Sequence, residues 1–223
     1  MSFFQRLITE TAAGQQRLAS TPQIQDGLVG AISRETYIAY LTEAYHHVKH
    51  TVPLMQAAKA GLDDAHARFR VALDDYIAEE TGHEAWILDD IRHCGGDAEA
   101  VRLGTPREAT AKMVAFAYDY IAQVNPMGFF GMVLVLEGTS VRLATQGADA
   151  VAKSLGLGPE CFSYLSSHGS LDQEHLVFFQ KLMDEVEDPA DQAAIIEVAQ
   201  AIFDLFADVF LAIPHQREIA HVV

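Results

Sequence analysis

Along nearly the whole chain, apolar residues return every three or four positions, the repeat that lays one stripe of a helix against a core. Alternating β-branched runs and Asn-Gly hairpin turns, the marks of strands, are missing from the sequence. The pattern predicts helices over about 2–18, 22–30, 34–60, 64–93, 106–122, 127–153, 160–186 and 189–212. Four of the starts share one grammar, a capping residue followed by proline: Thr21-Pro22, Thr105-Pro106, Asn125-Pro126 and Asp188-Pro189. The cap side chain accepts from an orphan N–H, and proline stands where no donor is needed. Glu108, three residues after Thr105, predicts a capping box there. "HCGGD" at 93–97 reads as a glycine helix stop, and Pro53 should bend its helix just beyond His50 by removing the bond to the Lys49 carbonyl. Short loops between long amphipathic helices predict one all-α domain over residues 1–223.

Composition narrows the class. Half of the 223 residues are hydrophobic, enough for a sizeable core. The net charge of −16 repels nucleic acid and anionic membrane surfaces, so neither is expected as a partner. Two cysteines, Cys94 and Cys161, form no zinc pattern and read as isolated thiols of a reducing compartment. "MSFFQRLITE" turns polar too soon for a secretion signal, and the longest apolar stretch, "PMGFFGMVLVLEG", is short for a bilayer and carries Glu137. A soluble cytoplasmic protein is the expectation.

Four sets of residues can carry chemistry. His168, Asp172 and His175 stand at i, i+4 and i+7, within about 60° of one another around a helix. They form either a ligand stripe or a solvated one. Glu80 and His83 form Glu-x-x-His, one helical turn that brings a carboxylate and an imidazole to one ion; Glu79 competes for the same role. Glu137 closes an apolar run and needs a partner if buried. That partner is a metal or an arginine elsewhere, since Arg142 lies about 140° around the helix. In "EAYHHVKHTVP", Glu43, His47 and His50 share one stripe and His46 pairs with His50, lining a pocket or a surface. The first three sets sum to three carboxylates and three imidazoles on three helices. Two divalent ions with open positions need about that inventory, imidazole suits iron, and the absence of cysteine argues against structural zinc.

In order and spacing, "YHHVKHTVPLM", "EETGHEAWILDDI", "VLVLEGTSV" and "SSHGSLDQEHL" resemble the heme-oxygenase-like di-iron oxidases, within the larger superfamily of thiaminase-II-type and quinone-synthase-type helical proteins. The likeness runs from about Tyr37 to about Gln200. It implies a heme-oxygenase-like bundle of seven to eight helices with a central pocket. It also implies a ligand set of Glu80, His83, Glu137, His168, Asp172 and His175 holding two iron ions or a Mn/Fe pair. One departure stands out. Some members carry a carboxylate seven residues before the histidine, and that position is Tyr76 here, leaving the early ligand to Glu80 or Glu79. Tyr76 then becomes a donor behind the ligands or an oxidisable residue.

The expected function is an O2-activating oxidase or oxygenase of a small organic substrate. His46 and His50 would line the substrate side, and Phe129, Phe130 and Val133 would form a water-excluding wall. The alternatives are a metal-free hydrolytic, isomerising or oxidising enzyme of the same fold and a non-enzymatic ligand-binding helical dimer, to which the apolar segment "IIEVAQAIFDLFADVFLAI" would supply an interface or an internal wall. A homodimer is expected on general grounds. Heme fits poorly, because no histidine precedes His46 on the first helix.

Overall fold

The computed structural model describes residues 1–214, and all their side chains apart from those of residues 168–176. It is a bundle of eleven α-helices with no strand among the described residues. In chain order these are α1 (Phe3–Ala19), α2 (Pro22–Leu28), α3 (Arg34–Val48), α4 (Thr51–Gly61), α5 (Ala67–Glu80), α6 (His83–His93), α7 (Ala98–Leu103), α8 (Glu108–Gln123), α9 (Phe129–Leu155), α10 (Ser163–Asp184) and α11 (Pro189–Leu211). Three more helices are present than the pattern predicts. Two arise because a predicted helix is broken, and the third is α7.

Both breaks have local causes. α3 stops at Val48, and α4 restarts at Thr51 with Pro53 in its first turn, where its missing N–H costs nothing. α5 and α6 part at Thr81-Gly82, and Gly82 takes φ +95°, a left-handed conformation open to glycine. The Glu80-to-His83 turn is therefore a hinge between two helices rather than one turn of a continuous helix.

The predicted capping box at Thr105 does not form. α8 starts later, with Arg107 as its cap residue, and the orphan N–H of Arg107 donates to Glu43 Oε2 at 3.1 Å. The buried Glu43 carboxylate also accepts from Thr110 Oγ1, so a carboxylate from α3 serves the positive end of α8. Asp188 and Asn125 do cap as predicted, accepting from Ala190 and Met127.

α9 and α11 form the centre. α11 buries a broad apolar face through Ile195, Ala199, Ile202, Phe203 and Phe206 and leaves a stripe at Glu197, Gln200, Asp204 and Asp208 exposed, so its apolar segment is an internal wall. α10 runs along α9, and α2 packs on the second half of α9. The stretch Pro126–Leu155, which contains α9, is long and apolar enough to cross a membrane by length and composition alone. The helices packed around it give that apolar surface its burial. Cys94 and Cys161, distant in sequence, come side by side in a second core cluster. Burial, with the neighbouring Cys161 thiol, pushes the Cys94 thiol up to about 12. Both thiols are buried in that cluster.

A clasp ties the chain before α5 to the start of α11. His66 Nδ1 meets Asp63 Oδ1 at 2.7 Å, His66 Nε2 meets Asp191 Oδ2 at 3.0 Å, and Asn125 donates to Asp191 Oδ1 at 2.9 Å. Burial works against the imidazolium, but the two carboxylates outweigh it, and the His66 pKa is raised above its ordinary 6.5. A raised histidine value means the clasp stabilises fully below pH 6.5 and its contribution is lost as pH climbs through the folded-state value. His66→Gln should therefore lower Tm in mildly acidic buffer and leave it nearly unchanged in alkaline buffer; parallel thermal melts of the two proteins across pH measure the difference.

Candidate functional site

One cavity of about 190 Å³ lies among α2, α3, α4, α9, α10 and α11. Its walls are mostly apolar, and Glu80 and Glu137 both face it. Glu80 is the last residue of α5 and is buried, whereas Glu79 is exposed. Of the two, Glu80 is the one that reaches the interior. Its Oε2 lies 3.0 Å from His83 Nδ1, across the Gly82 hinge. The His83 ring is stacked on Trp86 with centroids 4.1 Å apart, which fixes the plane in which its nitrogens point. Glu137 is half-buried about a third of the way along α9.

α6 does two jobs with one face. His83 and Asp90 stand seven residues apart, on one side of the helix. Asp90 accepts from Ser163 N and Tyr164 N, both at 2.9 Å, and from Ser163 Oγ. It therefore caps and seats the start of α10. Burial raises the Asp90 pKa against those hydrogen bonds. The side chains of His168, Asp172 and His175, on α10 beyond this anchor, lie outside the described residues.

The histidines of α3 divide differently from the expectation. His47 lines the cavity, edge-on to Phe206 with ring centroids 5.7 Å apart. His46 and His50, expected on the substrate side, are not among the described lining residues. His46 is buried behind the wall with Nδ1 3.1 Å from Lys49 Nζ. Burial and then the Lys49 ammonium hold it below the usual histidine range, so Nδ1 accepts from the lysine. His50 Nδ1 lies 3.2 Å from the Tyr118 hydroxyl, joining the α3–α4 kink to α8. Its pKa is lowered by burial and by Lys49. The i, i+4 pairing of His47 with the buried Glu43 is the sequence signal that marks its inward face.

Tyr76 is buried one turn before Glu80, edge-on to Phe178, and does not line the cavity. Phe129 and Val133 do, whereas Phe130 packs into the core against Phe69. Tyr37 and Tyr40 line the cavity as well, and burial raises both phenols well above the usual range. Tyr37 donates to the Cys161 carbonyl at 2.9 Å.

Among the described residues, no group of three histidine, cysteine or acidic side chains is gathered tightly enough to hold a metal. The donors that are described nevertheless fit iron in kind. They are two carboxylates on the wall and an imidazole touching one of them, with no cysteine, and no lysine or arginine among the lining residues.

A helical bundle folded around a cavity is the heme oxygenase-like fold, and the match to solved structures bears this out. A domain of unknown function with this fold from Shewanella denitrificans superposes with a TM-score of 0.86 at 22% identity, covering 99% of this chain and 94% of that one. Heme oxygenase-1 of the cyanobacterium Synechocystis, in complex with heme, gives 0.74 at 12% identity, covering 95% and 91%. Within that class the chain belongs to the iron-containing redox enzyme family, whose profile matches residues 38–207. It is also similar to 4-aminobenzoate synthase of Chlamydia trachomatis, 25% identical over 190 residues, covering 82% of this chain and 81% of that protein.

Proposed function

We propose that this chain is an iron-dependent, O2-activating oxidase or oxygenase of a small organic substrate. Glu80, His83, Glu137, His168, Asp172 and His175 would form a dinuclear carboxylate/histidine site. The observation that carries the reading is the convergence of Glu80 and Glu137, from two helices distant in sequence, on one apolar cavity, with His83 in contact with Glu80. Family membership supports iron, and the similarity to an enzyme named for making 4-aminobenzoate supports a small organic substrate.

Iron bound by these residues supplies the binding and reduction of O2. The chain's own groups shape where that happens. Phe129, Met132 and Val133 keep one side of the carboxylates dry, which strengthens every charge interaction there. The Trp86 stack and the Gly82 hinge hold His83 in one orientation. Asp90 fixes the start of the helix that carries the last three proposed ligands. His46, kept neutral, stands behind the wall as a packing and hydrogen-bonding support.

Anaerobic titration with Fe(II), followed by a colorimetric iron count, should give about two ions per chain. Admission of O2 should then consume it in proportion to bound iron. A chain that takes up no iron, or whose activity on a substrate survives a strong chelator, would return the site to metal-free chemistry with Glu80 and Glu137 as acid and base.

A further inference from the structure

The cavity is longer than a pair of metal ions requires. Its α9 wall begins at Phe129 and ends at Val151, about 33 Å of helix axis at about 1.5 Å per residue. Glu137 stands about a third of the way along, so an arm of about 21 Å continues past it. Leu143, Ala144 and Gly147 line that arm from α9, and Gly27 and Leu28 line it from α2.

Gly27 and Gly147 have no conformational reason to be glycine. Neither has a positive φ, and a Cβ on either would meet nothing within 4 Å. Glycine inside a helix weakens it. What the two positions provide is width, in a part of the wall that already has Ala144. Two polar atoms also face this space. Ser140 Oγ, one turn past Glu137, and Gln23 Oε1 are both buried without a hydrogen-bond partner among the described residues. The Gln23 amide nitrogen is already committed to the Ile213 carbonyl at 3.2 Å, so its oxygen is the open end. A hydroxyl donor or acceptor and an amide acceptor recognise an uncharged hydrogen-bonding group. An anion is disfavoured: Glu80 and Glu137 face the space, no lysine or arginine does among the described lining residues, and the chain carries −16 overall.

We infer that the cavity takes a long apolar chain bearing an uncharged hydrogen-bonding group, such as a long-chain alcohol or amide, with the chain in the arm between α2 and α9. As a substrate assignment this rests on the iron-site reading, but the binding itself does not need the metal.

The test uses dodecanol, dodecanoate and hexanol as probes, with binding read by calorimetry and iron content measured on the same samples. Dodecanol should bind at least about tenfold tighter than hexanol, because chain burial drives it, and at least about tenfold tighter than dodecanoate. Gly147→Leu fills the arm and should weaken dodecanol at least about tenfold while leaving hexanol unchanged. Its thermal unfolding should be unchanged or higher, which separates a blocked arm from a damaged fold. Ser140→Ala should weaken dodecanol by about threefold or more. Dodecanoate binding as tightly as dodecanol, or dodecanol binding undisturbed by Gly147→Leu, overturns the inference. Chain binding without iron uptake removes only the iron proposal, and iron uptake without chain binding removes only this one.

Discussion

Glu80→Gln should reduce iron uptake from about two Fe(II) per chain to fewer than one, and Glu137→Gln should do the same. Glutamine keeps the shape of each side chain and an acceptor oxygen, so the bundle has no packing reason to fail. What disappears is the negative charge. A divalent ion entering an apolar cavity loses its hydration and needs anionic donors to replace it. Loss of either carboxylate therefore acts on affinity and not on fold, and Tm should move by no more than about 1 kcal/mol equivalent in the apo protein. Glu79→Gln is the internal control: it is the sequence neighbour, has the same chemistry and is exposed. Wild-type iron binding in both cavity variants would place the metal elsewhere.

Much of this was legible in the chain. The helical period located α1, α8, α9, α10 and α11 within a few residues, and proline at Pro22, Pro126 and Pro189 marked starts that the structure keeps. The joining of Glu80 and His83 was legible as spacing, though not its mechanism. One helical turn and a left-handed Gly82 hinge bring positions i and i+3 together alike, and the pattern of apolar residues does not distinguish them. Partners supplied from far along the chain were not legible. Glu43 stood in the stripe with His47 and His50 and nothing singled out Asp90, but each caps a helix that begins more than sixty residues later. Cys94 and Cys161 read as isolated and are neighbours for the same reason. His47 was in a stripe that the sequence displayed, yet His46 and His50 drew the assignment. The kink at Lys49–His50 turns His50 toward Tyr118, which no periodicity measured along a straight helix anticipates.

The three helices that carry the proposed ligands are held by different devices, and this decides which changes reach the site. α5 ends at Glu80, α10 hangs from Asp90, and α9 is set by how closely it can approach α11. Asp90 and His83 share a face of α6, so a shift of that helix moves both the Glu80 partner and the helix beyond Ser163. The site is thus assembled from the ends and crossings of helices rather than from a single rigid one.

The closest of those crossings makes Gly131→Ala the most damaging single substitution expected outside the cavity. Gly131 lies in the buried first half of α9 and faces α11. A Cβ there would press on the Ile195 carbonyl oxygen and stand 2.7 Å from Ala199 N. Both obstacles are backbone inside a helix, so neither can rotate away as a side chain would. The helices must separate, and the packing around Ile195, Val198 and Ala199 opens with them. Alanine's better helix propensity returns about 1 kcal/mol, which is less than the overpacking cost. A net loss of about 3 kcal/mol is expected, or about 10 °C in Tm for a chain of this size. Gly138→Ala, in the same helix, meets nothing within 4 Å and should stabilise by about 0.5–1 kcal/mol. Urea unfolding of the pair reads the opposite signs directly. If both substitutions stabilise alike, α9 and α11 do not approach as closely at Gly131 as the fold described here requires.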